Sequence, residues 1–345
     1  MKIALVTDAW RPQTNGVVTT LTCTLAGLRR LGHQTLAITP EGFRTVGCPT
    51  YPEIRLALFA GRRVARELET FAPDAVHIAT EGPLGQAGRG WCLRNEQPFT
   101  TSYHTQFPQY IRARFPIPER LSYAFLRHFH GKAARMMVST EHMRHLLQAR
   151  GFHNVALWTR GVDSEVFRPL PRDLLKTPRP ILLYAGRVAV EKNLEAFLAL
   201  DVPGTKYVVG GGPALDALKA RFPAVIFTGY KYGDELAQHM SAADVFVFPS
   251  RTDTFGIVLL EAMACGTPIA AFPVVGPIDV VKPNVSGCMH EDLRLAIEGA
   301  LSVDRNACQR YALGFTWEHA TQQFIGNLEP RDKTTATHAV AATAE

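Results

Sequence analysis

Short apolar runs alternate with longer amphipathic stretches along this 345-residue chain, and the alternation stops once and restarts. The first series of runs is Lys2–Thr7, Gln34–Thr39, Ala75–Ala79, Pro98–His104, Arg135–Thr140 and Asn154–Trp158. Helical periodicity occupies Val17–Leu31, Gly61–Phe71, Pro118–Ala134 and Glu141–Arg150 between them. Runs this short and this rich in β-branched residues make buried strands of a parallel sheet joined by crossover helices. A Pro-rich interval, Phe167–Pro180, breaks the pattern. Strands are then expected at Ile181–Gly186, Lys206–Gly210, Val225–Gly229, Val245–Ser250 and Pro268–Phe272. Their helices should fill Leu194–Leu200, Ala214–Arg221, Gly233–Ala242, Gly256–Cys265 and Glu291–Leu301. The expected fold class is α/β with two parallel sheets. One domain covers residues 1–166, a linker 167–180, a second domain 181–315, a closing helix 316–328, and a Thr/Ala-rich disordered tail 329–345.

A chain of this length usually divides its core in two. Asp8 comes too early for the apolar region of a signal sequence, and no apolar run is long enough to span a bilayer, so a cytoplasmic location is expected. Six cysteines without a CxxC pair read as reduced, mostly buried thiols. His128, His130, His142 and His145 lack the Cys pair or HExxH that would suggest a metal site. Charge is uneven: residues 1–160 carry 20 Lys and Arg against 10 Asp and Glu, or +10, and the rest carry 17 against 21, or −4, summing to +6. The basic half fits an anionic membrane surface, an anionic substrate or a solvated Arg-rich face. In Tyr110–Leu121 and Leu126–Met137, Arg and Lys alternate with Phe, Ile, Leu and Met, a mixture suited to anionic lipid. No nucleic-acid partner is expected.

Ligands of open parallel sheets bind outside the carboxyl ends of the strands, so the loops that follow strands carry the chemistry. After the first strand, Asn15-Gly16 turns into a helix, where Gly16 either admits a ligand to the helix N-terminus or simply connects the elements. After Ile181–Gly186 come Arg187 and Lys192, which can clamp a diphosphate or form a surface ion-pair cluster. Gly210–Gly212 leaves room for a bulky ligand and is equally a plain turn before a proline-initiated helix. In Pro249–Pro268, Asp253 precedes Phe255 and Gly256, whose N–H groups at a helix start can hold phosphate. Glu261 falls inside the apolar helix sequence IVLLEAMA, where a carboxylate is costly without a ligand.

DTFGIVLLE resembles the E-x7-E motif of the retaining glycosyltransferases of family 4, which have the GT-B fold, with Asp253 in place of the first glutamate. GRVAVEKN resembles their GR-x-x-x-EKN loop, and RGVDSEVFRP, Arg160–Pro169, their interdomain segment. The Asn15-Gly16 opening and SYHTQFPQY are similar to a branch of bacterial mannosyl-, glucosyl- and sulfoquinovosyl-transferases that often act on lipids. The resemblance implies two facing Rossmann-like domains with a C-terminal helix crossing back to the first. It implies that Arg187 and Lys192 bind the donor diphosphate, Asp253 the transferred sugar and Glu261 the ribose, and that His104 faces the reacting sugar. Gly16, Gly211, Phe255 and Gly256 would complete the donor site.

The implied reaction is retaining transfer of a hexosyl unit from a UDP- or GDP-sugar to a hydroxyl acceptor, a lipid or a saccharide, on the inner face of the cytoplasmic membrane. No cofactor is implied beyond the nucleotide-sugar substrate. No Asp-x-Asp occurs, and the two cations would take the place of a metal. A dehydrogenase or epimerase would need a GxGxxG after the first strand, which is missing. A non-catalytic sugar-nucleotide module would bind without turnover.

Overall fold

The computed structural model describes residues 1–332 apart from 14, 49–50 and 115–116, without the side chains of 51–53, 110 and 113–114. The expected disordered tail therefore lies almost wholly outside the described residues. The first domain contains β1 (Lys2–Val6), α1 (Gly16–Arg30), β2 (Gln34–Ile38), the hairpin β3 (Thr45–Cys48) and β4 (Tyr51–Ala57), α2 (Gly61–Phe71), β5 (Ala75–Ile78) and α3 (Pro83–Arg94). It continues with β6 (Phe99–Ser102), α4 (Phe107–Arg114), α5 (Glu119–His130), β7 (Arg135–Val138), α6 (Glu141–Gln148) and β8 (Val155–Leu157). Its sheet runs β2-β1-β5-β6-β7-β8, all parallel.

The second domain contains β9 (Ile181–Ala185), α7 (Leu194–Leu198), β10 (Thr205–Val209), α8 (Leu215–Arg221), β11 (Ile226–Gly229), α9 (Gly233–Ala242) and β12 (Val245–Phe248). Then come α10 (Ile257–Ala264), β13 (Ile269–Ala271), α11 (Pro277–Val280), β14 (Gly287–Met289), α12 (Leu293–Ala300), α13 (Arg305–Ala312) and the closing helix α14 (Trp317–Asn327). This sheet runs β11-β10-β9-β12-β13-β14, also parallel. The central strands ILLYA and VFVF are buried along their whole length, as continuous apolar runs between two helical layers must be.

Every expected strand forms, usually one or two residues shorter. The sequence reading missed the β3–β4 hairpin, β14, α3, α4, α11 and α13. α3 escaped notice because PLGQAGRGWCLR carries three glycines and only a weak apolar stripe. The helix after Gly212 starts at Leu215, so Pro213 lies in the turn and does not initiate it. Only Cys92, Cys265 and Cys308 are buried; Cys23, Cys48 and Cys288 are half-buried, which corrects the expectation of mostly buried thiols.

α14 returns to the first domain. Phe324 packs among Leu21, Leu25, Leu28 and Trp158 in one core cluster, and Asn327 Nδ2 donates to the Leu157 carbonyl at 2.6 Å. A Cβ on Gly27 of α1 would come 2.4 Å from Thr321 Oγ1, so glycine lets α1 and α14 approach closely. The two domains are thus joined through 158–162 and tied again by α14, with the carboxyl ends of both sheets facing each other.

Candidate active site

Strand order reverses in the first sheet between β1 and β5, and in the second between β9 and β12. Such switch points open a crevice for ligand at the carboxyl edge. Both expected donor loops of the second domain, Gly186–Asn193 after β9 and Pro249–Gly256 after β12, fall at its switch point. Opposite them, α1 starts at the switch point of the first domain, capped by Asn15 Oδ1, which accepts from the Val17 and Val18 N–H groups at 3.1 Å each. A Cβ on Gly16 would lie 3.5 Å from Ile257 Cδ1, so the N-termini of α1 and α10 meet across the cleft. Two helix N-termini converging on one place favour an anion there.

In the loop after β1, Asp8 is 5% exposed and caps α3: its carboxylate accepts from Leu84 N at 2.9 Å, Gly85 N at 3.3 Å and Thr80 Oγ1 at 2.8 Å. Burial raises its pKa despite these bonds. Asp8 therefore ties the loop after β1 to the start of α3.

Lys192 ends a short 3-10 turn, Val190–Lys192, and its Nζ lies 2.5 Å from Asp253 Oδ1. The expected diphosphate and sugar ligands are thus one ion pair, mostly shielded from water, and Asp253 Oδ2 is buried without a hydrogen-bond partner among the described residues. Arg187 lies on the same loop, its carbonyl accepting from Tyr184 Oη at 2.7 Å. Asn193, at φ 53, donates from Nδ2 to the Pro249 carbonyl at 3.1 Å and joins the two loops. Gly256 caps α10 in the left-handed region at φ 82, and the Phe255 side chain is buried in the core.

Glu261 sits on the second turn of α10, and its carboxylate makes no hydrogen bond or ion pair among the described residues. Burial alone raises its pKa from 4.5 to about 7. Gly211 lies between β10 and the loop after β11: a Cβ there would come 2.7 Å from the Tyr230 ring, and Tyr230 Oη donates to the Gly211 carbonyl at 2.8 Å. Tyr230 stacks on Tyr232 with centroids 6.0 Å apart. The sequence reading missed this aromatic pair, although TGYKYG displays it directly after a strand.

His104 follows β6 and has both ring nitrogens engaged within the first domain. Nε2 lies 2.8 Å from Ser102 Oγ and Nδ1 lies 3.3 Å from an Arg160 amino group. Burial, then the Arg160 charge, lowers its pKa well below the usual value. Its carbonyl accepts from Thr254 Oγ1 at 2.7 Å. Two more bonds join the domains here, Gln106 Nε2 to the Asp253 carbonyl at 3.3 Å and Ser139 Oγ to the Thr254 carbonyl at 2.9 Å. Nothing in sequence spacing marks Gln106, Ser139 or Thr254 as partners, because they lie 115 to 150 residues apart. The structure thus gathers Gly16, His104, Lys192, Asp253, Gly256 and Glu261 around the interdomain cleft. Arg187 and Gly211 lie at the ends of β9 and β10 beside it.

The chain matches the family model described as Glycosyltransferase Family 4 over residues 14–166, and that described as Glycosyl transferases group 1 over residues 179–302. It is 30% identical to a GDP-mannose-dependent alpha-mannosyltransferase of Mycobacterium tuberculosis, across 95% of this chain and 96% of that protein. It is 29% identical to alpha-monoglucosyldiacylglycerol synthase of Streptococcus pneumoniae, across 79% of this chain and 71% of the relative. Among solved structures, sucrose-phosphate synthase from Thermosynechococcus elongatus superimposes with a TM-score of 0.75 at 20% identity, covering both chains completely, which is a likeness of fold.

Proposed function

The chain belongs to glycosyltransferase family 4, with the GT-B fold, and from that premise we propose that it transfers a hexosyl unit with retention from a UDP- or GDP-sugar to a hydroxyl of a glycolipid-type acceptor. The observation that carries this reading is the Lys192–Asp253 pair at the switch point of the second sheet, with Asp253 on the loop that leads into α10, whose first residue meets Gly16 at the start of α1. An incoming diphosphate competes with Asp253 for Lys192, and the released carboxylate turns to the sugar hydroxyls. The acceptor oxygen bonds to the anomeric carbon as the bond from that carbon to the phosphate oxygen breaks. The acceptor's proton passes to the departing diphosphate on the same face. Arg187, Lys192 and the α10 N-terminus stabilise the charge that develops.

Steady-state release of GDP or UDP tests the reading, with GDP-mannose tried first because a relative matched across 95% of this chain is named for it. We expect acceptor-dependent turnover with the anomeric configuration kept, and undiminished in excess EDTA. Loss in EDTA restored by Mg²⁺ would remove the metal-free mechanism. Binding without turnover for any donor would favour a sugar-nucleotide binding module.

The donor site should be proton-linked. A Glu261 carboxylate that accepts ribose hydroxyls binds better deprotonated, so the raised pKa opposes donor binding in acid. Affinity should rise as pH increases toward about 7, by up to tenfold per unit, and level off above it. Calorimetry at pH 6 in two buffers of different ionisation enthalpy should show a proton released on binding. Glu261→Gln should abolish the linkage, and proton uptake on binding would contradict the ribose role.

A lipid acceptor agrees with the first domain's surface. Phe107, Leu121 and Phe125 of α4 and α5 are 46%, 57% and 45% exposed, on helices that also carry Arg112, Arg120 and Arg127. Among the described residues no helix is long and apolar enough to cross a membrane. The mixture suits peripheral attachment to an anionic surface, so the protein should sediment with anionic liposomes at low salt and dissociate as salt shortens the Debye length. Charge reversal at Arg112 and Arg127 should weaken sedimentation and spare nucleotide affinity; the Arg114 side chain, expected to share this role, lies outside the described residues. Equal recovery on neutral liposomes would count against the membrane.

A further inference from the structure

Arg160 is 3% exposed and has no carboxylate partner among the described residues. A guanidinium removed from water without a counter-ion is costly, and burial lowers its pKa to about 9. It lies where the chain leaves the first domain: Val162 bridges Thr316, and a Cβ on Gly161 would come 2.3 Å from Trp317 N. The guanidinium stacks 4.5 Å from the Trp158 ring, and one amino group donates to the Trp158 and Thr159 carbonyls. The other amino group faces His104 Nδ1.

We propose that Arg160 is a positioning residue: it donates to His104 Nδ1, holds that ring in the neutral Nε2–H form, and thereby fixes the His104 carbonyl on which Thr254 of the donor-binding domain docks. This rests on the glycosyl-transfer reading. The proton assignment is forced by chemistry. Arginine has no acceptor, so Nδ1 must accept and the ring proton sits on Nε2. Nε2–H then donates to Ser102 Oγ. Ser102 donates its own hydroxyl proton to the Ala79 carbonyl at 3.3 Å. The second lone pair of Ser102 therefore accepts from His77 Nε2–H at 3.1 Å, while Thr100 donates to His77 Nδ1 at 2.9 Å. Every position is filled, and a second proton on His104 would find no acceptor.

The charged and titratable groups around His104 agree. From the 158–162 junction comes Arg160; from β5, His77, which burial holds neutral with a pKa of about 3; from α5, His130, bonded to Thr101 and Glu81. From the second domain, Asp253 is already paired with Lys192. None offers an anion to a protonated His104, so the ring stays neutral and Thr254 meets one fixed carbonyl.

The test follows ¹⁵N-histidine NMR of the full chain between about pH 5.5 and 8, with His104→Asn used to assign the signal. The same samples are assayed for kcat at saturating donor. Wild type should show a neutral ring protonated on Nε2 throughout. In Arg160→Met the ring pKa should rise from its wild-type value, and the variant-to-wild-type ratio of kcat should fall severalfold from pH 8 to pH 6, a ratio that cancels the Glu261 linkage. Arg160→Lys, which keeps a donor cation, should restore most of the acid-side activity. A pH-independent ratio, or a wild-type ring that carries its proton on Nδ1 or titrates in this range, overturns the proposal. Should Arg160→Met not fold, the wild-type titration and the lysine variant decide it. If no donor is turned over by wild type, the ring's protonation still judges Arg160, and only the functional reading falls.

Discussion

Lys192→Ala is expected to lower glycosyl transfer by at least tenfold, and by about a hundredfold if Lys192 is the main cation at the departing diphosphate, with the fold intact. Two effects add. The departing diphosphate loses an ammonium in a cleft with little water, where removing one such donor costs about 3 kcal/mol of transition-state stabilisation. In addition, Asp253 Oδ1 loses its partner at 2.5 Å, leaving a shielded carboxylate that repels the incoming diphosphate. The second effect is separable. Asp253→Asn added to Lys192→Ala should recover part of the donor affinity and none of kcat, because the amide removes repulsion without supplying a cation. Donor titration by calorimetry beside steady-state kinetics reads both. Wild-type turnover in Lys192→Ala would remove this loop from the site.

Gly210→Ala is expected to destabilise the second domain by about 3 kcal/mol or more, lowering its melting temperature by roughly 6 to 12 °C. Gly210 has φ 134, a region closed to a residue with a Cβ, and that Cβ would lie 1.9 Å from the Gly186 carbonyl oxygen. Neither constraint relaxes through a side chain, since the clash is with backbone. The ends of β9 and β10 would have to separate, carrying Arg187 and Gly211 with them, so donor affinity should fall as well. Gly326 in α14 is the control: nothing lies within 4 Å of its Cβ position, so alanine there should leave stability unchanged or raise it by a few tenths of a kcal/mol. Equal melting temperatures for Gly210→Ala and wild type would show that the strand ends are not held as described.

Much of this was readable from residue order, because strand and helix periodicity are local. VFVF and ILLYA are short apolar runs that the structure buries as central parallel strands, and the Pro-rich Phe167–Pro180 interval marks where the strand–helix pattern restarts. The rule that ligands bind after strands then selected Arg187, Lys192, Asp253 and Gly256 without any coordinates. Glu261 stood out because a lone carboxylate in an apolar helix needs a reason, and its raised pKa has that same origin.

Tertiary structure alone decided what these residues do to one another. That Lys192 neutralises Asp253, that Gly16 meets Ile257 and that Thr254 docks on the His104 carbonyl are contacts between residues 61 to 241 positions apart, set by how two sheets face each other. No local propensity encodes such pairings. Arg160 shows the division plainly: the sequence only likened its segment to an interdomain one, and the packed structure buries it against His104 without a counter-ion among the described residues.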